Sequence, residues 1–282
     1  MKNWRFAFSR RWVGYFALAI AFAIACVLLS NWQLSRRNEA LTEIERVDVN
    51  WDSTPRAVAD VLPQLDSYSD DDKWLPVTMT GHYLVDDQVL ARGRPLDGNA
   101  GFEVLVPFQL ADGSVFVVDR GWLPTGSQQD APDSVPAAPT GQVTVVVRLK
   151  QSEPTVLGRS APAGQIATIH LPDIAARVGE PTYTGAYGLL ASEDPSPAVV
   201  PTAVTKPVPD EGPHLSYAFQ WIAFALMGFF GLGWAIRQEY RIRNSDDPEE
   251  RKRAAERRRR AELKPRSDAE IEDELVDNAR RG

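Results

Sequence analysis

The residues that could do chemistry together are one imidazole and two aromatic side chains at the start of an apolar segment. His214, Tyr217 and Trp221 are spaced i, i+3 and i+7, so on a helix they share one face. A single imidazole can be an axial ligand of haem iron, with an apolar flank for the macrocycle. A histidine that faces lipid headgroups beside interfacial aromatic residues is the commoner arrangement. The residues alone leave both interpretations open.

The remaining sequence lacks the patterns of other chemical sites. Its histidines are His82, His170 and His214, and its single cysteine is Cys26, so no set of closely spaced ligands for zinc is present. No glycine-rich phosphate loop occurs. Ser216 follows His214 closely, but neither has an evident acidic partner for a hydrolase triad. The residues alone therefore offer no convincing catalytic site.

Two segments are long and apolar enough to cross a bilayer. Trp12 to Trp32 contains no charged side chain, and neither does Leu215 to Ile236. Twenty-two helical residues rise about 33 Å, which spans the hydrocarbon core. The sequence AIAC at residues 23–26 resembles a lipoprotein processing site, but the apolar run continues after the cysteine. We therefore predict that the first segment is a retained span and not a cleaved signal peptide.

Charge sets the predicted orientation. Basic residues precede the first span and follow the second, which by the positive-inside rule places both termini in the cytoplasm and residues 33–213 outside. Arg36 and Arg37 lie on the outer side, where they either reach lipid headgroups or supply positive charge beside a ligand of His214. A short basic start without a long transit segment favours a bacterial plasma membrane. The predicted order is cytoplasmic N-terminus 1–11, span 12–32, extracytoplasmic domain 33–213, span 214–236 and charged cytoplasmic tail 237–282.

The middle region is predicted to be a mostly antiparallel, barrel-like β domain, which makes the chain a membrane α+β protein. Nineteen of the 21 prolines lie in residues 33–214 and argue against long helices there. Alternating residues from Phe102 to Phe108 and from Val115 to Arg120 flank a turn and predict a hairpin. Further strands are expected near Val77, over Val143 to Leu149 and over Tyr183 to Leu190, and a short helix over His170 to Val178. Residues 48–73 and 124–139 are expected to be loops.

Net charge also limits the partners. Residues 33–214 carry 13 Lys and Arg against 25 Asp and Glu, and such an acidic domain argues against nucleic acid as a partner. The tail from Asp246 to Leu263 has a helix-forming composition with the i,i+4 pairs Glu249/Arg253 and Glu256/Arg260. The tail is expected to be solvated, and adhesion to anionic lipid or to a protein partner is the alternative.

Five short motifs between about Trp12 and Ile236 occur together in this chain. They are Asn31-Trp32-Gln33-Leu34-Ser35-Arg36, Gly81-His82-Tyr83, Arg92 to Gly101 with Pro107, Asp119-Arg120-Gly121-Trp122, and His214 to Trp221. In these motifs the chain resembles the Surfeit-locus-one family of cytochrome c oxidase assembly factors. Two positions depart from that family: Ser30 stands where glycine is expected, and Asp119 where asparagine is common. The charged tail lies outside the resemblance.

The resemblance implies an accessory protein, not an enzyme, that helps insert haem a into subunit I of an aa3-type oxidase. His214 would be the iron ligand, Tyr217 and Trp221 would flank the macrocycle, and Arg36 or Arg37 would pair with the propionates. The competing hypothesis is a scaffold that stabilises oxidase subunits or a respiratory supercomplex without binding haem. An unrelated membrane-anchored enzyme is disfavoured because no catalytic constellation is present. Membrane lipid is an expected partner of the two spans.

Overall fold

A computed structural model describes residues 4–262 of the chain. The chain divides into two compact units. The helical unit comprises Met1–Arg37 and Gly212–Gly282, and the β unit comprises Asn38–Glu211. The described α-helices are α1 (Arg10–Asn50), α2 (Val58–Val61), α3 (Leu171–Val178), α4 (His214–Arg243) and α5 (Pro248–Glu262).

The first helix is longer than the sequence analysis expected. α1 continues past Trp32 to Asn50, so the inference from proline content that residues after 32 avoid long helices is wrong for this stretch. The prolines of the middle region begin only at Pro55, and residues 33–54 contain no glycine either. Nothing in the composition therefore stops the helix. The side-chain amide of Asn50 donates to the carbonyl oxygens of Asp71 and Lys73 at 2.7 and 2.9 Å, which fixes the helix end within the β unit.

The apolar parts of α1 and α4 pack side by side in opposite directions. Near the end of the span, the buried Ser30 hydroxyl donates to the carbonyl oxygen of Ala218 at 3.0 Å. A Cβ at Gly228 would stand 3.4 Å from the ring of Phe22, at ordinary van der Waals distance, so the two helices are in contact at this level as well. Both helices are long and apolar enough to cross a membrane, and almost none of either apolar stretch is buried within the protein.

The β unit is a closed, barrel-like sheet. Its strands are β1 (Arg56–Ala57), β2 (Pro76–Tyr83), β3 (Val89–Arg92), β4 (Gly101–Leu110), β5 (Val115–Pro124), β6 (Val143–Gln151), β7 (Gln165–Ile166) and β8 (Ala186–Asp194). They are ordered β1-β2-β6-β8-β5-β4-β3-β7. One edge of β4 pairs with β3 near its start and with β2 near its end, and the second pairing closes the ring. The prediction of a mostly antiparallel, barrel-like fold is confirmed, although β5 and β8 run parallel.

The predicted hairpin is confirmed as β4 and β5, and the strands expected near Val77 and over Val143 to Leu149 are confirmed as β2 and β6. The expected strand over Tyr183 to Leu190 begins three residues later, at Ala186. A Cβ at Gly185 would collide with the backbone of the loop at Ser67, so the chain packs against that loop at this point. Before it, Thr182 forms only an isolated bridge with Val115 of β5. The short helix is confirmed as α3, which ends at Gly179 in the left-handed conformation.

Both faces of the central hairpin are buried. One face, with residues such as Val106 and Phe116, lines the barrel interior. The opposite face, with Leu105 and Val117, is covered by the end of α1 and by α3, which contributes Ile174. This double burial explains the nearly continuous apolar runs in β4 and β5.

The predicted helix in the tail is confirmed as α5, and the residues from Leu263 onward lie outside the described range. The predicted pair Glu256/Arg260 forms at 3.1 Å. Arg253 instead pairs with Glu250, three residues earlier, at 3.0 Å. The expected pair Glu249/Arg253 is therefore wrong. Residues 48–73 were expected to be loops. They also contain the end of α1, the short strand β1 and α2.

Candidate functional site

His214 is the first residue of α4, and the turn before it determines where its ring lies. Gly212 has a φ of +66°, a conformation that side-chain-bearing residues rarely adopt. Pro213 then caps the helix, and its carbonyl oxygen accepts the first helical hydrogen bond, from the amide of Tyr217, at 3.1 Å. The sequence Gly-Pro-His thus ends an irregular segment and begins a helix with the imidazole at its first position.

Gln33 of α1 orients the His214 ring. The side-chain amide oxygen of Gln33 lies 2.8 Å from Nδ1 of His214. The tautomer that satisfies this contact carries its proton on Nδ1, which donates to Gln33, and leaves the lone pair on Nε2. Histidines that bind metals are usually held in this way, with one ring nitrogen donating to a fixed oxygen. The arrangement therefore presents Nε2 as a potential ligand atom.

Gly212 leaves space at the same edge of the ring. A Cβ at this position would stand 3.2 Å from both Nε2 and Cδ2 of His214. Any side chain there would crowd the ring edge that carries the free lone pair. The glycine therefore serves both the backbone turn and access to Nε2.

The two aromatic residues of the predicted site differ in their exposure. Tyr217 is 47% exposed. Trp221 is half-buried and packs edge-to-face on Phe224, with ring centroids 5.7 Å apart. Between them in sequence, Ala218 is buried against α1. The side of α4 that carries His214 and Trp221 thus also packs against α1, and Tyr217 remains on its open flank.

Arg36 and Arg37 follow Gln33 by three and four residues on α1, so they lie one helical turn further along the same side. Arg36 is exposed and Arg37 is half-buried. Each already interacts with other groups of the protein. Pairing with a ligand's carboxylates would therefore replace existing contacts.

The sequence analysis did not assign Gln33, Gly212 or Ser30 to the site. Gln33 and His214 are separated by 181 positions, and no spacing rule connects residues that far apart. The only available signal was the presence of Gln33 in a motif beside the first span. Ser30, noted as a departure from glycine, makes the buried hydrogen bond to Ala218 that joins the two helices.

The motif from Asp119 to Trp122 lies inside the β unit. Gly121 has a φ of +126°, and a Cβ there would stand 2.5 Å from the carbonyl oxygen of Thr202. The indole nitrogen of Trp122 donates to the carbonyl oxygen of Arg94 at 2.7 Å. These contacts give the motif a role in packing its own unit. Among residues 4–262, no group of three or more His, Cys, Asp or Glu side chains is placed to hold a metal ion.

Comparison with known proteins identifies the family. The model of the SURF1 family matches residues 20–226, a range that includes Gln33 and His214. An uncharacterised SURF1-like protein of Mycobacterium bovis is 34% identical over 249 residues, which cover 86% of this chain and 90% of that protein. Uncharacterised SURF1-like proteins from two strains of Mycobacterium tuberculosis match to the same extent.

The expected resemblance to the Surfeit-locus-one family is therefore confirmed. The match covers α1 from residue 20 onward, the whole β unit and α4 as far as residue 226. The chain belongs to the SURF1 family, whose members are known generally as assembly factors of cytochrome oxidase.

Proposed function

We propose that the protein is an accessory factor in the biogenesis of an aa3-type cytochrome c oxidase, and that it binds haem a and presents it to subunit I. It acts by binding and not by catalysis. Its family supports the oxidase as the target, and the Gln33–His214–Gly212 arrangement supports haem a as the ligand.

In this proposal α1 and α4 cross the bacterial plasma membrane as an antiparallel pair. Arg11 and Glu239 pair at 3.5 Å at one end of the helices, and Gln33 and His214 meet at the other. His214 and Arg237 are 23 residues apart, which corresponds to about 35 Å along a helix and matches the bilayer thickness. The positive-inside rule then places the arginine end in the cytoplasm and His214 at the outer surface.

Contacts along the whole apolar stretch support retention of α1 as a span. A signal peptide that is cleaved and lost would leave α4 without the partner that contacts Ala218 and Gly228. With α1 and α4 both retained, the β unit follows the first span and precedes the second, and both of its connections reach the outer membrane surface.

Haem a would supply an iron that accepts a nitrogen ligand, an apolar macrocycle and two propionates. The residues of this chain fit each part. Nε2 of His214 is the available nitrogen, because Nδ1 is held by Gln33. The exposed ring of Tyr217 and the half-buried ring of Trp221 provide an apolar flank. Arg36 and Arg37 provide guanidinium groups for the propionates. One protein ligand also suits a carrier, because a carrier must release what it binds.

The test is purification of the protein from cells that make haem a, followed by visible spectroscopy. We expect a Soret band in the native protein and its loss in His214→Ala. His82→Ala is the matched control because His82 is an exposed histidine of the β unit, and its band should be unchanged.

The competing scaffold function predicts a different result. If neither native protein nor variant carries a haem band, while deletion of the gene still prevents oxidase maturation, the protein stabilises oxidase subunits or a supercomplex without binding haem. If oxidase matures normally after deletion, the assembly role itself is wrong.

A further inference from the structure

The end of α4 and the helix α5 enclose a cleft that neither the haem site nor the family match explains. The cleft has a volume of about 650 Å³ and lies beyond residue 226, where the match to the family model ends. Its charged lining consists of five arginines and one carboxylate: Arg241, Arg251, Arg257, Arg258, Arg259 and Glu250.

The single carboxylate is already neutralised. Glu250 is buried, and its two oxygens lie 3.0 Å from Arg253 and 3.9 Å from Arg257. Arg241 and Arg258, in contrast, have no carboxylate partner among residues 4–262. The cleft therefore carries excess positive charge, and its one carboxylate is paired within α5.

A second, smaller cleft of about 350 Å³ adjoins the first and shares Arg241, Glu250 and Arg257 with it. Its other wall is aromatic and apolar. The rings of Trp4 and Tyr240 stack there with centroids 4.4 Å apart. Tryptophan and tyrosine at the end of an apolar helix are typical of the level of lipid headgroups.

We propose that these adjoining clefts bind the phosphate of an anionic phospholipid headgroup. Arginine is suited to phosphate because its planar guanidinium can donate two parallel hydrogen bonds. Basic pockets beside membrane helices on the cytoplasmic side are known to receive such headgroups. The aromatic wall continuous with α4 favours a lipid over an acidic protein segment, since a lipid offers apolar chains directly beside its phosphate.

The inference rests on α4 being a membrane span, as proposed above, and does not depend on haem binding. Its test can therefore fail while the Soret band of the haem site remains. The full chain is purified in a neutral detergent and incubated with mixed micelles that contain equal amounts of phosphatidylglycerol and phosphatidylcholine. Native mass spectrometry then counts the lipids that stay bound to the protein.

The decisive variant is Arg241→Gln/Arg258→Gln. These two arginines pair with no carboxylate among residues 4–262, so their replacement removes positive charge from the cleft without breaking an ion pair. Its matched control is Arg159→Gln/Arg177→Gln, which changes the charge equally at two exposed positions of the β unit. We expect the native protein to retain phosphatidylglycerol selectively. Retention of phosphatidylglycerol by the cleft variant should fall about 30-fold, the amount expected for two basic groups at a lipid surface. The control should behave as the native protein.

Equal retention of the two lipids, or unchanged phosphatidylglycerol binding in Arg241→Gln/Arg258→Gln, would overturn the proposal and assign the arginines to another partner, such as an acidic protein segment. A parallel measurement in millimolar inorganic phosphate distinguishes the phosphate of a lipid headgroup from free phosphate as the ligand. Persistence of the bound lipid supports the headgroup, and complete displacement would identify free phosphate as the ligand instead.

Discussion

At the scale of single residues, Asp119 is a buried carboxyl group with only one of its oxygens hydrogen-bonded. Its side chain is fully buried on β5. One carboxylate oxygen accepts from the amide of Gly121 at 2.9 Å, and the other has no hydrogen-bond partner among the described residues. Burial, and after it the nearby Glu103 carboxylate, raises the pKa of Asp119 well above its ordinary value. The folded protein therefore holds this carboxyl in its neutral form at pH values where the unfolded chain ionises.

Replacement of Asp119 by asparagine should stabilise the protein at neutral pH. The amide oxygen can still accept from Gly121, and no proton has to be retained. In the unfolded chain the Asp119 carboxyl has a pKa of about 3.9. Above this pH, ionisation stabilises the unfolded state of the native protein. Its free energy of unfolding therefore falls as the pH rises toward the higher pKa of the folded state. We expect Asp119→Asn to raise the free energy of unfolding by about 1 kcal/mol at pH near 7 and by less at pH near 4.

Chemical unfolding of the full chain in detergent, followed by tryptophan fluorescence at both pH values, measures this difference. Asp86→Asn, at an exposed position, is the control and should change little. A loss of stability in Asp119→Asn at both pH values would contradict the account, since it would show that the carboxylate makes a contact that the amide cannot.

Gln33 offers the second test at this scale. If its amide oxygen holds Nδ1 of His214 in the donating tautomer, then Gln33→Leu should leave the imidazole in place but free to rotate or change tautomer. Loss of such an orienting partner typically lowers metal affinity 10- to 100-fold, so we expect about a tenfold fall in retained haem a. Gln33→Glu should preserve binding because its carboxylate also accepts from Nδ1.

The measurement is the ratio of Soret absorbance to protein in matched purifications. Ser35→Ala, two residues along α1 and exposed, controls for changes in the helix itself. Equal haem content in Gln33→Leu and the native protein would show that Gln33 does not position the ligand.

At the scale of elements, a buried ion cluster joins three strands of the barrel. Arg120 of β5 donates to Glu193 of β8 at 2.8 Å, and the hydroxyl of Tyr83 of β2 donates to the other oxygen of Glu193 at 2.7 Å. The side chains of Arg120 and Glu193 are 0% and 2% exposed. Arg120 also donates to the carbonyl oxygen of Pro136 at 3.0 Å. Strands that are distant in sequence are thus held together by charge as well as by backbone pairing.

Arg120→Met should destabilise the β unit by about 3 kcal/mol, because it leaves the Glu193 carboxylate buried without its counter-charge. The double variant Arg120→Met/Glu193→Met should recover much of that loss, because no lone charge remains. Arg92→Met removes an exposed pair with Asp130 and should cost less than about 1 kcal/mol. Chemical unfolding of the full chain gives all three values. Equal losses for Arg120→Met and Arg92→Met would mean that the cluster does not hold the barrel together.

The elements also show which parts of the fold follow from local sequence. The hairpin of β4 and β5 was predictable because alternation and turn residues are local signals. The strand register with which the barrel closes could not be predicted from local sequence. It depends on pairs such as Val118 with Gly188 and Gly81 with Leu110, which are set by packing between distant segments. The length of α1 was missed because prolines were counted over the whole middle region, although they begin only at Pro55.

The same distinction applies to the candidate site. His214, Tyr217 and Trp221 were recognisable because their spacing on one helix is a local pattern. The contact of His214 with Gln33 and the space left by Gly212 depend on how α1 and α4 pack. These two residues decide which nitrogen of the imidazole is available, so the chemistry of the site emerged only from the structure.

At the scale of the whole molecule, the proposed orientation can be tested with the chain's cysteine content. The single native cysteine, Cys26, is 1% exposed, so the native protein should react poorly with a membrane-impermeant maleimide and serves as the blank. Leu157 is fully exposed in the β unit, and Ser245 is exposed between α4 and α5. Cysteine at either position should be accessible to the reagent unless the membrane separates them.

We expect Leu157→Cys to be labelled in intact spheroplasts and Ser245→Cys only after the membrane is permeabilised. The physical reason is the excess of arginine at the end of α4, which resists translocation and keeps that end in the cytoplasm. Oxidase maturation in each strain shows that the variant protein inserts normally. Labelling of Ser245→Cys but not of Leu157→Cys in intact spheroplasts would reverse the orientation. It would place His214 at the cytoplasmic surface, and the arginine clefts could then no longer face the cytoplasmic leaflet.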